Sequence, residues 1–111
     1  MIKPINIYVI GLACFFCIAF KSISKEQLTL IVYGSDACHY CVDTKTFLNK
    51  NNIAFIYYDI DIDKVKEKEM LSKLTNAGIS IDNFQLPVVD KGGDVFTNGS
   101  NFITFLKKLL K

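Results

Sequence analysis

Residues 28–50 read LTLIVYGSDACHYCVDTKTFLNK. The first part, Leu28 to Tyr33, is an apolar run of strand length, rich in β-branched side chains and closed by Gly34-Ser35-Asp36. Such a run predicts a buried central strand. The pattern then changes period. From about Cys38 to Asn51, Cys41, Thr44 and Leu48 recur at helical spacing with Phe47 beside them, and Asn51-Asn52 ends the run. A strand that passes almost directly into a helix thus carries Cys38-His39-Tyr40-Cys41 at the helix head.

Outward from this unit, Phe55 to Asp59 predicts a second strand. Val65 to Ala77 predicts a second helix with Met70, Leu71, Leu74 and Ala77 inward, stopped by Gly78. Pro87-Val88-Val89 and Val95-Phe96 read as short strands around the hairpin turn Asp90-Lys91-Gly92-Gly93. A last helix starts near Asn101, with Phe102, Phe105, Leu106, Leu109 and Leu110 inward and Lys107, Lys108 and Lys111 near its negative end. The order β-α-β-α-β-β-α predicts an α/β fold. A right-handed crossover pairs the first two strands in parallel and a hairpin follows, giving a four-stranded mixed sheet flanked by helices. The 111 residues leave room for one domain.

The chain opens with a different composition. Lys3 precedes the apolar run Ile5–Phe20, and Ser22-Ile23-Ser24 supplies small residues for cleavage. Residues 1–24 therefore read as a signal peptide, with cleavage after Ser24 and residues 25–111 as the mature domain. The run is just short of the roughly 17–25 residues that cross a bilayer, so a retained membrane anchor over residues 5–20 is the alternative. Both assignments predict an exported protein, periplasmic or extracellular, that meets the membrane only through this segment. Cys14 and Cys17 lie inside the apolar run and read as small apolar residues rather than reactive thiols or lipid attachment sites. With Lys3 and Lys21 removed, the remaining lysines balance the 11 acidic residues, and there is no arginine. A near-neutral domain lacks the electrostatic footprint of a nucleic-acid binder, and a chain without arginine lacks the bidentate anion clamp. A monomer is expected.

The chemistry concentrates in Cys38 and Cys41. A sulfur at a helix start faces unpaired backbone N–H groups and the positive end of the dipole, which favours thiolate over thiol. One turn on, Cys41 falls on the apolar stripe, close enough to bridge but shielded. The asymmetry predicts Cys38 as the nucleophile toward a substrate disulfide and Cys41 as the resolving thiol. As a plain staple, so short a loop would contribute only about 2 kcal/mol. His39 and Asp36 are candidate modulators of Cys38 with opposite effects, a protonated imidazole favouring the thiolate and a carboxylate opposing it. Lys45 lies about 10 Å along the helix axis from Cys38, so its influence is expected to be weak. Zinc needs about four ligands, and only His39 could join the two thiols, so no metal site is expected within one chain. The competing reading is a binding module whose dithiol holds a soft metal or an iron-sulfur cluster shared between chains. Asp59-Ile60-Asp61-Ile62-Asp63 has the alternating acids of a calcium loop, but Lys64 and Met70 replace the required glycine and glutamate.

In order and spacing, these residues resemble the glutaredoxin family, specifically its small bacterial members. The resemblance rests on Tyr33 at a strand end, Cys38-His39-Tyr40-Cys41, Lys45 and Leu48 in the following helix, Leu86-Pro87-Val88, a glycine turn, and Gly99-Ser100. It implies a thioredoxin-like fold and thiol-disulfide exchange with protein dithiols or disulfides, or with low-molecular-weight thiols. It also implies a cis-Pro87 facing the dithiol, with the Leu86 backbone pairing with the incoming substrate. No resident cofactor is implied. Glutathione is a candidate co-substrate, for which the family's binding positions correspond to Tyr40, Leu86 and Gly99-Ser100-Asn101. Ser35 and Asn101 stand where the family often has a lysine and an acid.

Overall fold

A computed structural model of the chain describes residues 29–111. The expected leader over residues 1–24, its anchor alternative, Cys14 and Cys17, the start of the mature domain and Leu28 all lie outside the described residues. The elements are β1 (Leu30–Gly34), α1 (His39–Lys50), β2 (Ile56–Asp59), α2 (Lys64–Asn76), β3 (Gln85–Lys91), β4 (Asp94–Asn98) and α3 (Phe102–Leu110). The four strands form one sheet in the order β2-β1-β3-β4. β1 runs parallel to β2, matching Gly34 with Asp59, and antiparallel to β3, matching Tyr33 with Val88. β3 and β4 form an antiparallel hairpin. This is the four-stranded mixed α/β sheet that the element order predicts.

Alternation along β1 decides where the helices go, because successive side chains point to opposite faces. Leu30 and Val32 join Val89 and Phe96 beneath Leu48 of α1 and Phe105 and Leu109 of α3. Tyr33 points the other way, with Val88, onto Met70 and Leu74 of α2 and Ile60. A sheet covered on both faces needs a central strand that is apolar throughout, which is why β1 reads as an unbroken hydrophobic run.

The connections follow from local chemistry. Gly92 and Gly93 have φ of 58° and 101° between the paired residues Lys91 and Asp94, the two positive values that a two-residue type I′ hairpin requires. Asp63 caps α2 by accepting from Lys66 N at 3.0 Å, and Asn101 caps α3 by accepting from Thr104 N at 3.1 Å.

Two residues expected inward are not. α2 ends at Asn76, so Ala77 sits in the C-cap and is exposed. Leu110, the last residue of α3, is 53% exposed beside the outward Ile103, because it lies a further 100° around the helix from the buried Leu109. The calcium-like acids serve the fold: Asp59 accepts from Asp61 N, Asp61 from the Ser35 hydroxyl, and Asp63 caps α2.

Candidate active site

β1 and β2 end together at Gly34 and Asp59, β3 starts beside them, and Asn98 at the end of β4 pairs with Gln85. The head of α1 follows β1 at this same end of the sheet, and the head of α3 follows β4. Cys38 is the N-cap of α1, with extended backbone and no side-chain cap hydrogen bond. Its N–H donates to Ser35 O at 2.9 Å, and its carbonyl accepts from the N–H groups of Cys41 and Val42, each at 3.1 Å. This frame leaves Cys38 partly exposed.

Cys41 is fully buried with Thr44 and Leu48 along the inward stripe of α1. Both cysteines are free thiols and lie side by side. Burial pushes the Cys41 thiol up to about 12, and the adjacent Cys38 thiol adds to the effect. The space for its sulfur comes from Gly34. A Cβ on Gly34 would lie 2.8 Å from Cys41 Sγ, closer than real Cβ contacts come, and 3.0 Å from both Cys41 Cβ and Tyr57 Oη, tighter than most. Sequence reasoning saw Gly34 only as the end of a strand. The available signal was a glycine closing a buried strand just before a dithiol, since glycine within a sheet often marks close approach of another group.

The charged neighbours are arranged differently from the expectation. Lys45 does not act at a distance: its Nζ reaches back to Asp36 at 2.8 Å and sits 4.1 Å from the centroid of the Tyr57 ring. Its Cα is far from the helix head, but its side chain spans the gap. The Lys45 ammonium holds the Asp36 carboxyl below the usual carboxylate range. His39 is highly exposed and pairs with Asp43 one turn along α1, with Nε2 3.1 Å from Oδ2.

Tyr40 is partly exposed, with its ring 4.7 Å from Phe102 at the start of α3 and 5.2 Å from His39. Phe102, which sequence reasoning placed only in the core, therefore joins the dithiol segment to the C-terminal helix. The Leu86–Pro87 bond is cis, as the resemblance implies. One register step beyond the Tyr33–Val88 pair, buried Pro87 comes opposite Gly34, the residue against which Cys41 lies. Asn98, also missed from sequence, is buried and donates to Leu86 O at 3.4 Å, bracing the start of β3. Gly99 and Ser100 are exposed. With Asn101, Thr104 and Lys108 they line a cavity of about 430 Å³ between β4 and α3, whose walls do not include the cysteines, Tyr40 or Leu86. The structure thus sets Cys41 against Gly34 and beside Cys38, holds Lys45 on Asp36, turns the Tyr40 ring toward Phe102 and puts Pro87 at the register position opposite Gly34, while the Gly99-Ser100 pair opens onto a neighbouring hollow.

The family model described as Glutaredoxin matches residues 30–96. Among solved structures, a glutaredoxin from Archaeoglobus fulgidus is 25% identical over 78% of this chain and 90% of its own, with a TM-score of 0.55. A mutant of the thioredoxin-like protein BC3987 is 29% identical over 75% of this chain and 100% of its own, with a TM-score of 0.58. Glutaredoxin 1 from Francisella tularensis, complexed with cacodylate, is 19% identical over 76% of this chain and 96% of its own, with a TM-score of 0.55, a likeness of fold. No curated protein matches the chain at a significant level.

Two outcomes follow from the packing of Cys41. Gly34→Ala should cost about 1–3 kcal/mol in denaturant unfolding because the new methyl overpacks the sulfur. Gly99→Ala, which meets nothing within 4 Å, should stay within about 0.5 kcal/mol; equal effects would refute the close-packing account. The second concerns pH. The folded Cys41 value lies near 12 against a reference of 9.0, so neutral Cys41 contributes stability that is complete below about pH 9 and is lost as pH rises toward 12. Reduced wild type should therefore lose stability across that window more steeply than Cys41→Ser, and parallel curves would contradict the assignment.

Proposed function

The chain belongs to the glutaredoxin family and is a thiol-disulfide oxidoreductase, and from that premise we propose that Cys38 captures substrate sulfur and Cys41 releases it. The observation that carries this reading is the difference in access, a partly exposed Cys38 beside a fully buried Cys41. Only Cys38 can meet a large substrate. Its thiolate attacks one sulfur of a substrate disulfide, forming a mixed disulfide while the second substrate sulfur leaves with the bonding pair and takes up a proton. Cys41 then attacks Cys38 Sγ, the protein disulfide forms, and the remaining substrate sulfur departs as a thiol. Run backwards, the same steps oxidise a dithiol.

The substrate is a protein disulfide or a low-molecular-weight thiol compound. The partly exposed Tyr40 ring, fixed against Phe102, offers it an apolar edge, and the Leu86 backbone at the head of β3 offers a place to pair. Glutathione-specific contacts find less support. The Ser35 hydroxyl is spent on Asp61 and Ala37 N, and the Asn101 side-chain oxygen caps α3. The Gly99-Ser100 hollow remains a candidate subsite for the polar end of a small thiol.

We place this exchange outside the cytoplasm, on the strength of Lys3, the apolar run Ile5–Phe20 and the small residues Ser22-Ile23-Ser24. Retention of that run would tether the same domain to a membrane. N-terminal sequencing of protein recovered from the host's exported fraction should begin after Ser24. Recovery only from the cytoplasm would sink the export proposal.

For the catalytic roles, Cys38→Ser should abolish exchange with a disulfide substrate, and Cys41→Ser should accumulate a mixed disulfide on Cys38, detectable as a mass increase that reductant removes. Exchange that survives Cys38→Ser, or an adduct on Cys41 in wild type, would refute the assignment.

A further inference from the structure

Tyr57 lies on β2, where the sequence pattern shows only a strand residue. Its hydroxyl is buried and makes no hydrogen bond of ordinary geometry among the described residues, although the Asp36 carboxylate faces it. Leaving a buried hydroxyl unpaired is unfavourable, so a native group in that state calls for an explanation. The geometry supplies one. Tyr57 Oη and Cys41 Sγ converge on a single point, the empty Cβ position of Gly34, at 3.0 Å and 2.8 Å respectively. The Lys45 ammonium stands 4.1 Å from the Tyr57 ring centroid, tethered there by Asp36.

We propose that Tyr57 is a positioning residue for the resolving step, its hydroxyl donating a hydrogen bond to the Cys41 sulfur as that sulfur becomes an anion. The inference rests on the assignment of Cys41 as the resolving thiol and deepens it. In that step Cys41 loses its proton and its sulfur attacks Cys38 Sγ in the mixed disulfide. The Cys38–Cys41 bond forms, the bond from Cys38 to the substrate sulfur breaks, and the substrate sulfur leaves with that electron pair. It ends as a thiol by gaining a proton equivalent to the one Cys41 lost. The two protein thiols are thereby oxidised to a disulfide and the substrate disulfide is reduced.

Tyr57 keeps its own proton throughout. Burial, with the Cys41 sulfur and the Asp36 carboxylate adding to it, pushes its phenol upward from the ordinary value, so it serves as a donor and not as a base. A neutral thiol is a weak acceptor and a thiolate a strong one. The bond therefore strengthens as charge develops, the condition for accelerating a step rather than merely binding its starting state. Lys45 works in the same direction, since a cation over the ring face favours the developing negative charge nearby and draws electron density from the phenol. Cys38, Lys45 and a backbone hydrogen bond from Ser35 bear on Cys41, while Cys41, Asp36, Asp59 and the Lys45 ammonium bear on Tyr57.

Stopped-flow reaction with dithiobis(nitrobenzoate) separates the two steps. The full chain carries Cys14→Ser and Cys17→Ser so that only the dithiol reports. The first coloured equivalent marks capture by Cys38 and the second marks resolution by Cys41. Tyr57→Phe retains the ring and its Lys45 contact and removes only the hydroxyl. It should slow the second release about tenfold or more, the loss expected for a hydrogen bond to a charged group. It should also raise the midpoint of that phase's pH dependence by about one unit. The thermal midpoint of the reduced chain should hold or rise, because an unpaired buried hydroxyl has been removed. Identical second-phase rates and pH midpoints in the two chains would overturn this inference and leave the capture role of Cys38 standing. A chain with Tyr57 intact that releases no first equivalent would instead overturn the redox reading, and with it the step Tyr57 is proposed to serve.

Discussion

The Cys41 sulfur rests against the backbone of β1 at Gly34, in a gap too narrow for a β-carbon. That contact sets how closely the head of α1 approaches the sheet, and the geometry of the site follows from it. With Cys41 pressed onto the strand, the helical turn N-terminal to it carries Cys38 to the rim. The core holds the arrangement in place, because Leu48 lies on the same stripe of α1 as Cys41 and packs with Val32, Val89 and Phe105. A helix displaced outward by even part of an ångström would lose those contacts as well as the sulfur's seat. Interiors at crystal-like density do not give such space freely.

The same closeness makes the surrounding charges effective. Asp36 and Lys45 form an exposed or partly exposed ion pair, and such pairs contribute little to stability by themselves. The pair matters here because of where it holds the ammonium. Anchored on Asp36, Lys45 is kept over Tyr57, whose hydroxyl approaches the buried sulfur, so a positive charge from solvent's edge acts on an interior group through an aromatic ring. A lysine free in solvent would spread its charge over many positions and be screened within a Debye length.

Much of this was legible in the sequence because the decisive signals were local. The apolar run before the dithiol, the change from strand to helical period at Cys38, and the Gly92-Gly93 turn each reflect one rule acting over a few residues, and each element stands where its pattern puts it. The stripe Cys41, Thr44 and Leu48 predicted the burial of the second thiol directly. What did not show depends on side chains that reach across elements. Lys45 is seven residues from Cys38, and helical rise alone says it is remote; only its bent-back side chain brings it to Asp36. Tyr57 and Gly34 meet because β2 is parallel to β1 with Gly34 matched to Asp59, a register that no single strand pattern specifies. Phe102 and Asn98 belong to elements far along the chain from the dithiol, and their contacts with Tyr40 and Leu86 exist only once the sheet is closed.

The polar groups around the site also indicate how selective it is. A site that discriminates strongly among small substrates leaves buried donors and acceptors to be completed by the right ligand, so that the wrong one pays for leaving them unpaired. Around this dithiol, Ser35, Asn101 and the Asp59-to-Asp63 acids have bonds within the fold and Asp36 is held by Lys45, while the two buried oxygens left unpaired among the described residues, Tyr57 Oη and Asn98 Oδ1, are shut off from solvent and not presented at the rim. What the rim exposes is the Tyr40 ring and, at the start of β3, Gln85 and the half-buried Leu86, surfaces that read shape and main chain more than charge. A rim built this way offers an incoming protein or small thiol shape and main chain more than unpaired polar side chains, with the second sulfur of the dithiol seated behind it on Gly34.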